Sequence, residues 1–178
     1  MSSMKKALVA AGISFCVSST AFAADQGHGK VTFTGSIIDS PCSITPESVD
    51  QTVDLGSISK ATLVKNGKST PRNFSIGLEN CSFGEPATKN KVQVTFTGMQ
   101  SVANNGLLGI HGSAAGASIA IVDGSGIVIK LGQPSNAQTL SNGSNTLSFA
   151  AYLQGDGADD KITEGDFQSV ADFTLAYN

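Results

Sequence analysis

The sequence has few of the residues on which nucleic-acid binding usually depends. Its 178 residues contain no tryptophan, two tyrosines and two histidines, and 11 lysines and arginines stand against 14 aspartates and glutamates. The formal net charge is −3 and Arg72 is the single arginine, so the chain has no basic stripe that could bind nucleic acid. Its apolar runs are also shorter than the ~20 residues that a membrane-spanning helix needs. We therefore expect neither nucleic-acid binding nor stable membrane insertion.

No catalytic or metal-binding constellation can be assembled from the sequence. The two histidines, His28 and His111, lie in glycine-rich or terminal contexts without a neighbouring base or nucleophile pattern. The acidic segment GDGADDKITEGD, residues 155–166, offers calcium as an alternative, but its spacing does not match an EF-hand loop and exposed acidic turns are common. We therefore expect no catalytic residue, no metal site and no cofactor.

The first residues have the pattern of a secretory signal peptide. Lys5 and Lys6 precede the apolar run ALVAAGISFCV, and the small residues of AFA, residues 21–23, suit a signal peptidase. A membrane anchor is the alternative, but a run of about a dozen apolar residues is too short for a bilayer core of roughly 30 Å. We predict a signal peptide over residues 1–23. Its removal leaves nine lysines and arginines against 14 acids, a net charge of −5.

Two cysteines remain after such a cleavage, Cys42 and Cys81. Two cysteines in an exported chain most often form one disulfide. A metal site or a catalytic thiol would need companion ligands or a base, and the two histidines are poorly placed to supply them. The predicted disulfide indicates an oxidising compartment, such as the bacterial periplasm and beyond.

Most of the remaining chain consists of short segments in which apolar residues alternate with polar ones. Turn clusters rich in glycine, asparagine and aspartate separate these segments, which is typical of an all-β sandwich or barrel in one domain. One helical turn is plausible in SISKATLV. The predicted strands are QTVDLGSI as a weaker candidate, NFSIGLENC, KVQVTFTG, ASIAIVDG, GIVIKLG, NTLSFAAYLQG and ADFTLAYN.

The first strand-like segment, KVTFTGSIID at residues 30–39, lies in an unusual place, ahead of Cys42. Val31, Phe33 and Ile37 alternate on one face, with Gly35 among them. Seven residues from Val31 to Ile37 span about 23 Å, enough to run along one edge of a sandwich. This strand could pair within its own molecule, with Gly35 marking a bulge, or it could complete the sheet of a neighbouring molecule by strand addition.

The terminal motifs resemble those of bacterial chaperone–usher fimbrial subunits, close to the major pilins of P-type fimbriae. The matching features are GKVTFTGSIIDSPC leading into Cys42, the second cysteine in LENCSF, and the closing stretch ITEGDFQSVADFTLAYN. Tyr177 is the penultimate residue of the sequence and Gly165 is the fourteenth from its end. The resemblance covers essentially the whole chain.

The resemblance implies an incomplete immunoglobulin-like β-sandwich that lacks its last strand, with an N-terminal extension over residues 24–41 and a pilin domain over residues 42–178. The implied partners are identical or homologous pilin subunits in a head-to-tail filament, a periplasmic chaperone and an outer-membrane usher. The implied role is a structural subunit of a surface fimbria that supports bacterial adhesion. Alternatives are a minor or adaptor pilin, or a self-contained secreted sandwich that binds carbohydrate or protein; an enzyme is the most distant.

Carried over residue by residue, the resemblance assigns two sets of site residues. The first set would form the donor strand that enters a neighbour's groove: Val31, Phe33, Gly35 and Ile37. The second set would form the acceptor-groove edge and bind the chaperone: Gly165, Phe173, Leu175, Tyr177 and Asn178.

Overall fold

The structure, a computed structural model, describes residues 29–103, 105–157 and 161–178. The predicted signal peptide over residues 1–23 lies outside the described residues and stays a prediction. The chain divides into two compact units, residues 1–37 and residues 38–178. The first unit is described only from residue 29 onwards.

Short antiparallel strands make up most of the second unit. In chain order, the elements are β1 (Ser43–Ile44), α1 (Pro46–Val49), α2 (Lys60–Leu63), a 3₁₀ turn (Val64–Asn66), β2 (Arg72–Cys81), β3 (Lys91–Gly98), β4 (Leu108–Gly109), β5 (His111–Gly112), β6 (Ala117–Asp123), β7 (Val128–Ile129), β8 (Gln138–Thr139), β9 (Gly143–Gly155), β10 (Phe167–Gln168) and β11 (Ala171–Tyr177). None of the helices in the described ranges is long and apolar enough to cross a membrane.

The larger sheet has the strand order β1-β2-β9-β6-β4, and β7 also pairs with β6. Its centre is the long strand β9, which pairs with β2 on one side and with β6 on the other. Both faces of β6 are buried, because the loop that carries Leu107 covers the face opposite the main core. This burial explains why ASIAIVDG has apolar residues on both faces.

The smaller sheet has the order β11-β3-β8 and packs face to face with the larger one. The inward residues of β3 alternate strictly, with Val92, Val94 and Phe96 buried between the sheets. They meet the inward residues Ile76 and Leu78 of β2 in one continuous core. A third, two-stranded sheet pairs β10 with β5.

The predicted disulfide between Cys42 and Cys81 is confirmed. It joins the residue before β1 to the last residue of β2, and both cysteines are buried in the core. The helical turn predicted in SISKATLV is also present, as α2 followed by the 3₁₀ turn.

Two predicted strands differ from the structure. QTVDLGSI forms no ladder, because the Asp54 carboxylate accepts the Gly56 N–H at 2.8 Å and the resulting turn interrupts the extended run. GIVIKLG is a strand only at Val128–Ile129, because Leu131 leaves the larger sheet: its N–H bonds the Gly106 carbonyl at 2.9 Å.

The predicted strand at residues 30–39 is not a strand in the structure. Residues 29–40 form no ladder with any described residue, and their side chains are exposed as far as Asp39. An extended segment without a partner makes no ladder hydrogen bonds, so nothing within it fixes a regular strand.

Candidate functional site

The last strand, β11, pairs on one side only. Its seven residues form a continuous antiparallel ladder with β3, and no other described strand pairs with it. The far edge of β11 is therefore an open edge of the smaller sheet. Such an edge is a template for pairing with a further strand.

The register of the β11–β3 ladder determines which backbone groups face this open edge. Asn178 and Lys91 exchange two backbone hydrogen bonds, at 2.8 and 3.1 Å. Hydrogen-bonded pairs alternate along an antiparallel ladder, so every second residue before Asn178 also faces β3. The residues between them direct their N–H and C=O groups to the open edge: Ala171, Phe173, Leu175 and Tyr177.

The side chains of these same four residues are half-buried against the core between the sheets. Their outer-face neighbours on β11 are exposed. The open edge therefore combines unpaired backbone groups with an apolar inner face. A strand with apolar side chains at every second residue would satisfy both features.

A large groove lies beside the open edge, with a volume of about 1200 Å³. Its floor is apolar and comes from the inner faces of both sheets, including Ile119 of β6, Leu153 of β9 and Phe96 of β3. Phe173 forms part of the wall, and its ring centroid lies 6.4 Å from that of Phe96. The groove is thus an unfilled part of the hydrophobic core.

The opposite rim of the groove is a segment without a strand, which we name the rim strap (residues 51–59). Its half-buried residues Val53, Leu55 and Ile58 line the groove. The Gln51 amide donates to the Ser75 carbonyl at 3.1 Å and so ties the strap to the outer edge of β2. The groove therefore lies between two elements that do not pair with each other.

An ion pair joins the two rims. The Lys60 ammonium, just beyond the strap, lies 3.3 Å from the Glu164 carboxylate, which precedes β10. Both residues line the groove, and both side chains are exposed. A backbone hydrogen bond within Glu164 and the neighbouring Lys60 ammonium together hold the pKa of the Glu164 carboxyl below its ordinary value.

Gly165 lies on the groove rim, outside β11. Its φ of +148° suits glycine, and a Cβ there would overlap the Ser113 hydroxyl and lie 2.9 Å from the Ala114 nitrogen. The Asp166 N–H donates to the same hydroxyl at 3.0 Å. Gly165 therefore permits the close approach that joins the rim to the loop after β5.

Tyr177 lies at the far end of the open edge. Its hydroxyl is buried and has no hydrogen-bond partner at bonding distance among the described residues. This burial raises the pKa of the Tyr177 hydroxyl, and the nearby Ser40 hydroxyl partly offsets the change. Asn178 follows in an exposed position, where its amide donates to Gln93 at 3.0 Å.

Gly165 and Phe173 therefore lie on one rim of the groove, while Leu175 and Tyr177 continue the open edge beyond it, with Asn178 at its end. Their assignment to an acceptor edge stays a prediction. The predicted donor residues lie in the other unit. Val31, Phe33 and Ile37 are 75%, 90% and 104% exposed, and a Cβ on Gly35 would contact nothing within 4 Å. The segment therefore exposes three large apolar side chains to solvent.

Sequence reasoning missed the rim strap and the Lys60–Glu164 ion pair. QTVDLGSI did show an apolar alternation at Val53 and Leu55, which was the available signal for the strap. The ion pair joins residues about a hundred positions apart, and no local pattern marks it. The described residues contain no group of acidic, histidine or cysteine side chains that could hold a metal ion.

Comparison with known proteins identifies the relatives of this chain. A family model described as "Fimbrial protein" matches residues 31–178. The chain is 58% identical to the Fimbria A protein of Serratia marcescens over 98% of both chains. It is 52% identical to the Major MR/P fimbria protein of Proteus mirabilis over 90% of both chains.

Solved structures give the same result. A chain from a chaperone–usher pilus, solved to explain rod uncoiling, has 36% identity and a TM-score of 0.75, covering 86% of this chain and 97% of that one. The P pilus rod subunit PapA has 32% identity and a TM-score of 0.68, covering 78% of this chain and all of that one. The predicted all-β, immunoglobulin-like sandwich is confirmed, with an open edge at β11.

Proposed function

Because this chain belongs to the fimbrial protein family and is a structural subunit of a pilus exported to the cell surface, we propose that its subunits join by donor-strand exchange. The segment of residues 30–39 of one subunit enters the groove of the next and pairs with the open edge of β11. Each subunit both donates and accepts, so the contact repeats head to tail and builds an open filament.

One observation carries this proposal. The open edge presents four residues whose backbone groups are unpaired and whose side chains face the core, and two of them, Ala171 and Phe173, line the apolar groove. The opening segment exposes large apolar side chains at Val31, Phe33 and Ile37, which share one face of an alternating strand. Both surfaces are unfavourable in water and complementary to each other. Burial of Val31, Phe33 and Ile37 would stabilise the contact by about 1.5–3 kcal/mol each, before any ladder hydrogen bonds.

Size favours an antiparallel arrangement. If Val31 lies opposite Tyr177, then Gly35 lies opposite Phe173, and the smallest donor residue meets the aromatic ring that lines the groove. A parallel strand over the same length would set Phe33 beside Phe173 instead. Opposed residues in an antiparallel ladder lie only about 4.5–5.5 Å apart at Cβ, so a glycine there leaves space for the ring.

The remaining roles extend this mechanism. A periplasmic chaperone would cover the same groove before assembly, and an outer-membrane usher would replace the chaperone with the next subunit's opening segment. The similarity to the Major MR/P fimbria protein and to the P pilus rod subunit favours a rod subunit over an adaptor. The filament would support bacterial adhesion as a stalk, and no bond chemistry is assigned to the fold itself.

A full-length Phe33→Asp variant tests the proposal. The aspartate would prevent the variant from donating but would leave its groove able to accept. Added KVTFTGSIID peptide should therefore raise its unfolding temperature by several degrees, whereas the same peptide with aspartate at Phe33 should not. Two results would contradict donor-strand exchange: filaments formed normally by the variant, or an unfolding temperature that ignores the peptide.

A further inference from the structure

Two exposed apolar side chains lie at the end of the smaller sheet, next to the groove. Met99 follows β3 and Val170 precedes β11; they are 51% and 67% exposed. The ladder ends where Gly98 pairs with Ala171, and Met99 and Val170 are the next residue of each chain segment beyond it. If the alternation of the two strands continues by one residue, both side chains lie on the face of Asp172, Thr174 and Ala176, although Val170 also borders the groove.

The rest of this outer face on β11 is different in character. Asp172, Thr174 and Ala176 are exposed and small or polar. Val170 is therefore the one large apolar residue among the outer-face positions 170 to 176 of this strand. Contact with water alone does not account for two large exposed apolar side chains at the end of a face that otherwise carries small or polar residues.

The opening segment has the same pattern in reverse. Its outward residues Thr32, Thr34 and Ser36 are polar, and the next outward residue, Ile38, is apolar and 61% exposed. In the antiparallel arrangement that places Gly35 opposite Phe173, Ile38 falls opposite Val170. The three polar positions then fall opposite Ala176, Thr174 and Asp172.

We propose that Ile38 of an incoming subunit packs on Val170 and Met99 of the accepting subunit, and we name this contact the outer clasp. It rests on the proposed donor-strand exchange and adds a contact outside the groove. The partner is a second copy of this chain, because its polar residues fall opposite small or polar residues and its apolar Ile38 falls opposite the apolar Val170. Cross-strand apolar pairs of this kind stabilise a sheet edge beyond its backbone hydrogen bonds.

The outer clasp gives the inserted strand a register. A slip of two residues preserves the inner alternation, so on the inner face only the meeting of Gly35 with Phe173 opposes it, and a contact on the outer face adds a second constraint. On the outer face the same slip moves Ile38 from Val170 to Asp172 in one direction, and in the other it carries Ile38 past the end of β11 towards Gln168 of β10. Both of these are polar and exposed, so only one register buries Ile38.

Filaments of the full-length chain allow a double-mutant cycle on this contact. Ile38→Ser and Val170→Ser should each speed the release of subunits from purified filaments in guanidinium by about two- to fivefold. The double variant should release no faster than the faster single variant, because both changes remove one contact. Ala176→Ser is the matched control on the same face, and its effect should multiply with that of Ile38→Ser.

Independent effects of Ile38→Ser and Val170→Ser, or unchanged release in both, would overturn the outer clasp. A cysteine pair gives a second readout that does not depend on stability. Ile38→Cys with Val170→Cys should form a disulfide between subunits, and Ile38→Cys with Asp172→Cys should not; the reverse result also overturns the clasp.

An inner-face variant separates this inference from the proposal on which it rests. Ile37→Ser should strongly impair filament formation, because Ile37 would face the groove. If Ile37→Ser filaments form and persist normally, donor-strand exchange itself is wrong. If Ile37→Ser impairs assembly while Ile38 and Val170 act independently, only the outer clasp is wrong.

Discussion

Phe96 of β3 and Phe173 of β11 lie opposite each other in the last ladder, with ring centroids 6.4 Å apart and planes tilted by 57°. Phe96 is 3% exposed and also contacts Phe149 of β9 edge to face. Phe173 is only half-buried, because its other side lines the groove. The aromatic core of the subunit therefore ends at the groove wall, and whatever fills the groove completes that core.

The proposed meeting of Gly35 and Phe173 predicts a compensating pair of substitutions. Gly35→Leu should reduce filament yield sharply, because the added side chain would meet the Phe173 ring. Phe173→Ala makes space, so the double variant should assemble better than Gly35→Leu alone, as measured by filament yield per subunit. Thr34→Leu places the same leucine side chain on the adjacent outer-face position and is the control that should assemble. Normal assembly of Gly35→Leu would show that these two residues do not meet.

Tyr177→Phe should not weaken the subunit. It removes a buried hydroxyl that has a neighbour in Ser40 but no hydrogen-bond partner at bonding distance among the described residues. Urea unfolding of filament subunits should therefore show an unchanged free energy of unfolding or a gain of up to about 1 kcal/mol. A loss of more than that amount would indicate a hydrogen bond that Tyr177 makes in the assembled state.

Tyr177→Phe should also remove part of the loss of stability at alkaline pH. Because burial raises the folded-state pKa of Tyr177, its contribution is fully present below the ordinary value of 10.0 and is lost as pH rises through the higher folded value. The difference in unfolding temperature between native and Tyr177→Phe filaments should therefore change across that alkaline range and stay constant below it.

The ion pair between Lys60 and Glu164 predicts a loss of stability at acid pH. The pKa of Glu164 is lowered from the ordinary value of 4.5, so its contribution is present above that value and is lost as pH falls through the lower folded value. Glu164→Gln should remove that part of the pH dependence, measured by thermal release of subunits from neutral pH to about pH 3. Glu164→Gln filaments that keep the full native pH dependence would show that the pair does not act on the assembled groove.

Sequence patterns predicted the strands that have both a strict alternation and a partner. NFSIGLENC, KVQVTFTG and NTLSFAAYLQG became β2, β3 and β9, because their inward residues meet in one core. The cysteine pair was predictable because only two cysteines follow the predicted signal peptide.

Sequence patterns failed for segments that alternate between apolar and polar residues but have no strand with which to pair. The rim strap alternates at Val53 and Leu55 but turns at Gly56, and residues 30–39 alternate without a strand to pair with. The proposed acceptor role of Phe173 and Leu175 came only from the family resemblance. The groove itself, and the ion pair at its mouth, depend on distant segments meeting in three dimensions, which no local window contains.

Cross-linking between subunits tests the central claim most directly. In filaments of the full-length chain, the account predicts that Thr32→Cys with Ala176→Cys forms an intermolecular disulfide, because these outer-face positions lie opposite each other in the antiparallel arrangement. Thr32→Cys with Asp172→Cys, the pair that a parallel strand would bring together, should stay uncross-linked. Absence of cross-linking in both pairs, in filaments that form normally, would contradict insertion of the opening segment beside β11.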